Sequence, residues 1–233
     1  MSAYDFLAPF YKSVMAHVDY EEWASFILQE MPVRGHALEL AAGTGDLAAQ
    51  MSSHFDGYIL SDLNVSMVKE NHQGGLVLDM RQIPFKESFD SVFCCYDSFN
   101  YLLTEADIRK HLLQVQSVLK PGGVYHFDTT SEHASYTYFQ DYVDYEELDG
   151  VDIVRRAWVE DDFQYNEFIF YQDNLQGSYT KIRELHTQKL WSHSFLLNIL
   201  KEQGWKIIKC VGDYTHEDIH FEHMRRHYFI QKL

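Results

Sequence analysis

HALELAAGTGDLAAQ, residues 36–50, is the stretch on which the fold turns. Ala37–Leu40 is a short apolar run, Ala41–Gly45 is a loop of small residues with two glycines, and Asp46 onward has helical composition. A strand feeding a glycine loop and then a helix N-terminus opens a doubly wound α/β sheet, and such a loop usually cradles a phosphate. Gly43-Thr44-Gly45-Asp46-Leu47-Ala48 matches the loose dinucleotide pattern G-x-G-x-x-G/A, and Asp62 ends the next apolar run 17 residues after Gly45. Yet Glu39 and Asp46 bracket this loop. Two carboxylates facing a pyrophosphate would cost several kcal/mol at partial burial, whereas the same pair suits a cation.

Outward from this stretch, the runs ALEL, YIL, LVLD, SVFCC and VYHFD between His36 and Thr130 alternate with segments of helical periodicity. With two final runs, WKIIKCVGDY and RRHYFIQKL, they predict a Rossmann-like, seven-stranded, mainly parallel sheet with helices on both faces. Thr104 and Asp107 cap the clearest helix, whose Ile108, Leu112, Val115 and Leu119 face inward before Lys120-Pro121-Gly122-Gly123 ends it. Residues 1–32 predict two short helices. One lies around Pro9–His17, with Phe10, Tyr11, Val14 and Met15 on a stripe. The other is capped by Asp19 with Glu22 reaching back, buries Trp23, Phe26 and Ile27 as core, and stops at Pro32.

Residues 131–150 are rich in tyrosine and acid and read as loop. Three segments of period-two alternation follow, VDIVRRAWVE, FQYNEFIFYQD and SYTKIRELHTQKL, joined by polar stretches such as Asn174–Gly177. They predict an inserted antiparallel three-stranded lid. The framework resumes with a helix over Ser192–Gln203, ended by Gly204. The expected division is therefore residues 1–130 with 190–233 as one domain, the N-terminal helices covering it, and 131–189 as an inserted lid or substrate subdomain.

Composition narrows the function. The 233 residues suffice for one full core, and the apolar fraction of 46% argues for an ordered chain. No apolar run approaches the roughly 18 residues that span a bilayer. The N-terminus lacks the pattern of a signal peptide, and Cys94, Cys95 and Cys210 include an adjacent pair poorly placed to bridge, so a reducing cytoplasmic setting is expected. A formal charge of −16 repels polyanions, and no strong basic patch is evident beyond Arg155-Arg156 and Arg225-Arg226.

In order along the chain, five segments resemble those of the class I S-adenosylmethionine-dependent methyltransferases. LELAAGTG (38–45) is similar to the family's first motif, with Ala41 where a glycine is common. Asp62, in YILSDLNVSM, sits where the family places the acid that grips the ribose hydroxyls, with Leu63 and Met67 available to flank the adenine. Asp79-Met80, in LVLDMRQIPF, resembles the pair that recognises the adenine amino group. FDSVFCCYDSFNYL (89–102) resembles the fourth strand and the segment lining the transfer site, and LKPGGVYHFD (119–128) the turn into strand five. The resemblance implies S-adenosylmethionine as cofactor, with Tyr4, Glu39, Ala41, Gly43, Gly45, Asp62, Leu63, Met67, Asp79, Met80, Cys95 and Asp97 in contact with it. This cofactor has a ribose but no phosphate and carries a sulfonium and an α-ammonium, which accounts for an acidic loop. The flanks, Tyr4-Asp5 and Phe10-Tyr11 before a Trp-containing helix and the insertion ending RELHTQKLW, look like the small-molecule N-methyltransferases that include amino-sugar and glycine enzymes. Plainer alternatives stand beside these roles: Glu39 as a helix cap, Asp62 as an N-cap, Asp79 as a turn residue, and Tyr4 and Tyr11 as core aromatics.

Methyl transfer from a sulfonium disperses charge, so collinear positioning and exclusion of water contribute most. Tyr11, Asn100 and His186 are the catalytic candidates, with Asp97 and Ser98 as further positioning groups. Strand parity puts Glu184, His186 and Gln188 on one face, opposite Arg183, Leu185 and Thr187. That polar face points either to solvent or into the cleft, and in the cleft His186 would orient or deprotonate an amine. His126 alternates within its strand and reads as structural. His216, His220, His223 and His227 straddle a presumed hairpin loop into a strand, so not all of them can converge and no metal is expected. Cys95-Tyr96-Asp97-Ser98 stands where base-methylating enzymes carry Asn/Asp-Pro-Pro-Tyr/Phe, and no Pro-Cys pair is present. The expected partner is thus a small-molecule methyl acceptor, with no nucleic acid and no membrane, and the chain a monomer or homodimer. An amine fits best, with oxygen and carbon acceptors open. Two rival readings are a catalytically silent S-adenosylmethionine-binding regulatory protein and a nicotinamide-dependent oxidoreductase.

Overall fold

The computed structural model describes residues 3–31, 34–174 and 177–233; the helix stop at Pro32 and the middle of the Asn174–Gly177 connection lie outside the described residues. Two helices come first, α1 (Ala8–Val14) and α2 (Tyr20–Glu30). The Asp19 carboxylate accepts the Glu22 amide at 2.8 Å and caps α2, whose Trp23, Phe26 and Ile27 are buried. Then follow β1 (His36–Leu40), α3 (Asp46–Met51), β2 (Gly57–Asp62), α4 (Val65–Glu70), the two-residue β3 (Leu76–Val77) and β4 (Phe89–Cys94). After α5 (Glu105–Val118) and the long β5 (Leu119–Thr130) comes the single turn α6 (Glu132–Ala134). A second set of strands is β6 (Tyr142–Leu148), β7 (Val151–Glu160), β8 (Phe163–Asp173) and β9 (Tyr179–Lys189). The chain closes with α7 (His193–Glu202), β10 (Lys206–Gly212) and β11 (Arg225–Gln231).

Seven strands form one sheet in the order β10-β11-β5-β4-β1-β2-β3. The pairs β1–β2, β1–β4, β4–β5 and β2–β3 are parallel, while β11 runs antiparallel to both β5 and β10. The expected mainly parallel sheet is present. Its central strands read as continuous apolar runs because helices cover both faces. One face packs Ile108, Leu112 and Val115 of α5 and Leu196 and Ile199 of α7; the other packs Trp23, Phe26 and Ile27 of α2 and Leu47 and Met51 of α3. Chain order reverses between β1 and β4, and the crevice beyond their C-terminal ends is where such sheets bind ligands.

The second sheet is antiparallel, β6-β7-β8-β9, and has four strands, one more than expected. Residues 142–148, taken as loop, form an edge strand joined to β7 by Asp149-Gly150, both with positive φ (53° and 75°), a tight turn whose twist suits a hairpin. YVDYEEL shows no apolar alternation because neither of its faces is buried. Smaller differences occur at helix ends: α5 stops at Val118, and Asn64, whose side chain accepts the Ser66 and Met67 amides, is the cap of α4 in place of Asp62. No helix among the described residues is long and apolar enough to cross a membrane.

The N-terminal segment lies between the two sheets. Glu184 of β9 accepts the backbone amides of Tyr4 (2.6 Å) and Phe6 (2.8 Å), and Leu7 packs with Val151, Ile153, Phe168 and Phe170 of the second sheet. Tyr4 and Tyr11 are thereby held over the crevice.

Candidate active site

At the ends of β1 and β2 the chain turns through Ala41, Gly43 and Gly45, all with positive φ (54°, 56° and 78°). Asp62 ties this turn to the next. Its Oδ2 accepts the Gly43 amide at 2.9 Å and its Oδ1 the Asn64 amide at 2.8 Å, and the Leu63 amide also bonds the carboxylate, which leaves one of its acceptor positions for a ligand. Burial pushes the Asp62 carboxyl up, against the pull of those amides. Glu39 is 2% exposed. Burial raises it to about 7, although the Tyr58 hydroxyl donates to Oε2 at 2.8 Å. It caps no helix. Asp79, by contrast, is held low by the Arg81 guanidinium, which also reaches Asp107 at 2.8 Å.

A cavity of about 290 Å³ opens here. Glu39, Ala41, Gly43 and Asp62 form its floor, Leu63 and Met67 one side, and Asp79, Met80 and Cys95 the other, with Tyr4 and Tyr11 above. Leu63 is 62% exposed at the mouth while Met67 is buried. Two expected contacts lie elsewhere. Gly45 is absent from the lining; it serves the turn into α3, and a Cβ there would meet the Asn71 amide at 2.7 Å. Asp97 faces a neighbouring chamber, where it accepts from Arg225 Nη2 at 2.9 Å and from the Gln188 amide.

That second chamber, about 170 Å³, shares Tyr4, Tyr11, Tyr96 and Tyr101 with the first. His186 lies on its wall, and the polar face of β9 points inward: Glu184, His186 and Gln188 are all buried. His186 Nε2 is 2.8 Å from Glu184 Oε1 and Nδ1 is 3.0 Å from the Tyr101 hydroxyl, which is 2.8 Å from the Tyr4 hydroxyl. Burial pushes Glu184 up, but His186 and the Phe6 and Tyr4 amides outweigh it and hold the carboxyl below its ordinary value. A carboxylate only accepts, so Nε2 carries the hydrogen, and in the neutral ring Nδ1 accepts from Tyr101, which in turn accepts from Tyr4. The result is one directed chain, Tyr4 to Tyr101 to His186 to Glu184. Burial raises Tyr4 and Tyr101 well above the ordinary phenol range, so both hydroxyls stay neutral.

Asn100 lines neither cavity. It is fully buried, donates to the Lys189 carbonyl at 2.7 Å and accepts the Thr130 amide at 3.1 Å, joining the end of β9 to β5. The reason is position: a side chain in the turn after β4 meets two strand ends that both need backbone partners. Trp23, expected as plain core, is fully buried yet borders the first cavity. It packs on Tyr96 at 5.1 Å between ring centroids and leaves its indole N–H without a partner among the described residues. Tyr20, Arg81 and Tyr101 also line this cavity and were not anticipated. Tyr101 carried a signal, since it adjoins the candidate Asn100 in the segment after β4.

The histidine run does not converge as a set. His216 bonds Glu30, and His227 stacks on the buried His126 with 3.1 Å between ring nitrogens. Glu217, His220 and His223 do come within 4.8 Å of one another. However, His223 Nδ1 accepts the His220 amide at 3.1 Å, which puts the ring proton on Nε2 and removes the lone pair a metal would need.

Residues 37–123 match a family model described as a methyltransferase domain. YqeM of Bacillus subtilis (strain 168), provisionally named a methyltransferase, is 27% identical over 223 residues, covering 91% of this chain and 90% of that one. The solved S-adenosylmethionine-dependent methyltransferase from Clostridium acetobutylicum ATCC 824 is 25% identical with a TM-score of 0.83, over 98% of both chains. CalS10, an amino pentose methyltransferase from Micromonospora echinaspora solved with S-adenosylmethionine bound, shares the fold at a TM-score of 0.74 and 16% identity, over 96% of this chain and 97% of that one.

Proposed function

We propose that this chain, which is an S-adenosylmethionine-dependent methyltransferase, methylates a small-molecule amine seated in the second chamber, across the tyrosine wall. The first cavity suits the cofactor in charge and shape. Glu39 is a buried carboxylate and Asp62 a half-buried one, and among the described residues the indole N–H of Trp23 lacks an acceptor. Asp62 would take the ribose hydroxyls, Glu39 the α-ammonium, Leu63 and Met67 the adenine faces, and Asp79 with Met80 its amino edge. When bound, the cofactor supplies a methyl group on an electrophilic sulfonium.

The chain's own residues supply position and a proton path. The N-terminal segment and the second sheet keep water from the junction of the two cavities, and the rings of Tyr4 and Tyr11 favour positive charge beside them. An amine attacks only as the neutral base. As it sheds a proton to the Tyr4 oxygen, the Tyr4 hydroxyl proton passes to Tyr101 and that of Tyr101 to His186 Nδ1, leaving an imidazolium against the Glu184 carboxylate. The observation that carries this reading is the hydrogen-bonded chain ending at the wall the two cavities share.

The test is His186→Asn. Affinity for S-adenosylhomocysteine should hold while turnover with an amine substrate falls by about a hundredfold or more, the usual contribution of a general base. Undiminished turnover at every pH would remove His186 from the reaction.

A further inference from the structure

We propose that the second chamber takes an acceptor bearing an anionic group, a carboxylate or a phosphate, and that Arg155 holds it. This rests on the reading of that chamber as the acceptor site. Along β7 the inward positions are Val151, Ile153, Arg155, Ala157 and Val159, so a guanidinium stands where the alternation calls for an apolar side chain. It lines the chamber. Around it lie the rings of Phe139, Tyr142 and Phe168, at 5.4, 5.3 and 5.6 Å, and the Asn166 amide oxygen, which accepts from Nε at 3.3 Å and Nη2 at 2.8 Å.

None of these partners neutralises it. Among the described residues no carboxylate comes within 4.0 Å of Arg155. Asp144, opposite it in the β6–β7 register, gives Oδ2 to the Tyr142 hydroxyl and Oδ1 to the Tyr145 amide. The other arginine of the chamber, Arg225, shows the contrast: it is clamped between Asp97 and Asp128 and has no charge left to offer. In a chain with 35 acidic and 19 basic residues, a half-buried cation without an acid is a costly arrangement unless a ligand completes it. Its remaining N–H groups form the planar fork that fits two oxygens of one anion.

A second observation points to a ligand in the same chamber. Gln164 is 4% exposed; its amide nitrogen donates to Gln188 Oε1 at 3.3 Å, but its own Oε1 is buried without a donor among the described residues. A hydroxyl or amine of the bound molecule would satisfy it. The acceptor is therefore read as a polar molecule with its anion at Arg155, a donor group at Gln164 and its nucleophile at the tyrosine wall.

The experiment supplies wild type, Arg155→Gln and Arg155→Lys with methyl-tritiated S-adenosylmethionine and the low-molecular-weight fraction of an extract of the source organism. Labelled product should be retained by an anion exchanger at about pH 11, where the methylated amine has lost its proton and the anionic group alone sets the charge. Retention abolished by alkaline phosphatase identifies a phosphate, and retention that survives identifies a carboxylate. At limiting extract, Arg155→Gln should form that product at least about tenfold more slowly, Arg155→Lys should recover part of the rate, and S-adenosylhomocysteine should titrate all three proteins alike. Labelled product that is not retained, or an Arg155→Gln rate equal to wild type, overturns the anchor while leaving the acceptor chamber standing. Absence of any small labelled product from wild type refutes the chamber reading itself, and this inference with it.

Discussion

Glu39 is a buried acid that a cationic ligand must find ionised, and Glu39→Gln tests this. Burial raises the carboxyl from its ordinary 4.5 to about 7. Above that pH the empty site carries a charge ready for an ammonium. Below it, binding must first expel a proton, so affinity falls with pH, approaching tenfold per pH unit and amounting to about fivefold from pH 7 to pH 6. Calorimetry with S-adenosylhomocysteine, which keeps the α-ammonium, should show this limb, and buffers of differing ionisation enthalpy should report about half a proton released at pH 7. Glu39→Gln keeps an oxygen for the Tyr58 hydroxyl but has no proton to lose, so its affinity should be about tenfold weaker at pH 8 and flat through the lower limb. Stability should move oppositely. An acid raised on folding imposes no penalty below 4.5 and its full penalty above 7, and that interval converts to roughly 3 kcal/mol at about 1.36 kcal/mol per pH unit, an upper bound. The ligand-free variant should therefore melt higher than wild type at pH 8 and gain little at pH 4. An unchanged lower limb in the variant, or a lower melting temperature at pH 8, would refute the reasoning.

Other outcomes follow from the same geometry. Asp62→Asn turns one acceptor toward an amide donor, at Gly43 or Asn64, and should weaken S-adenosylhomocysteine binding by about thirtyfold or more in the same titration, at roughly 2 kcal/mol. Asn100→Ala strands the Lys189 carbonyl and the Thr130 amide and should cost about 1–3 kcal/mol per group in urea unfolding, with cofactor affinity little altered. Gly45→Ala must adopt a φ of 78° and displace the Asn71 amide, so about 1–2 kcal/mol of backbone strain plus the clash should lower its melting temperature, although Gly45 lines neither of the two chambers.

Much of this molecule is written locally. The apolar runs that become β1, β2, β4 and β5, the Asp19 and Thr104 caps, and the parity of Glu184, His186 and Gln188 are patterns within a few residues, and each is read directly because side-chain direction follows from helix and strand geometry. β6 was missed because an edge strand exposed on both faces leaves no apolar period, although its Asp149-Gly150 turn was in plain view. Where Asp97, Asn100 and Trp23 stand relative to the two cavities is not legible for a related reason: a residue's type and neighbours do not say which cavity wall it will join.

By itself the sequence determined the sheet, the acidic glycine loop and, through its charge, a cationic rather than a phosphorylated nucleoside. Only tertiary structure decided that Tyr4, Tyr101 and His186 stand in one hydrogen-bonded line and that Arg155 has no acid beside it among the described residues. Those facts depend on the N-terminal segment docking between two sheets, where Glu184 binds the Tyr4 amide 180 positions away. Contacts at that separation come from the packing of whole elements, and no periodicity along the chain records them.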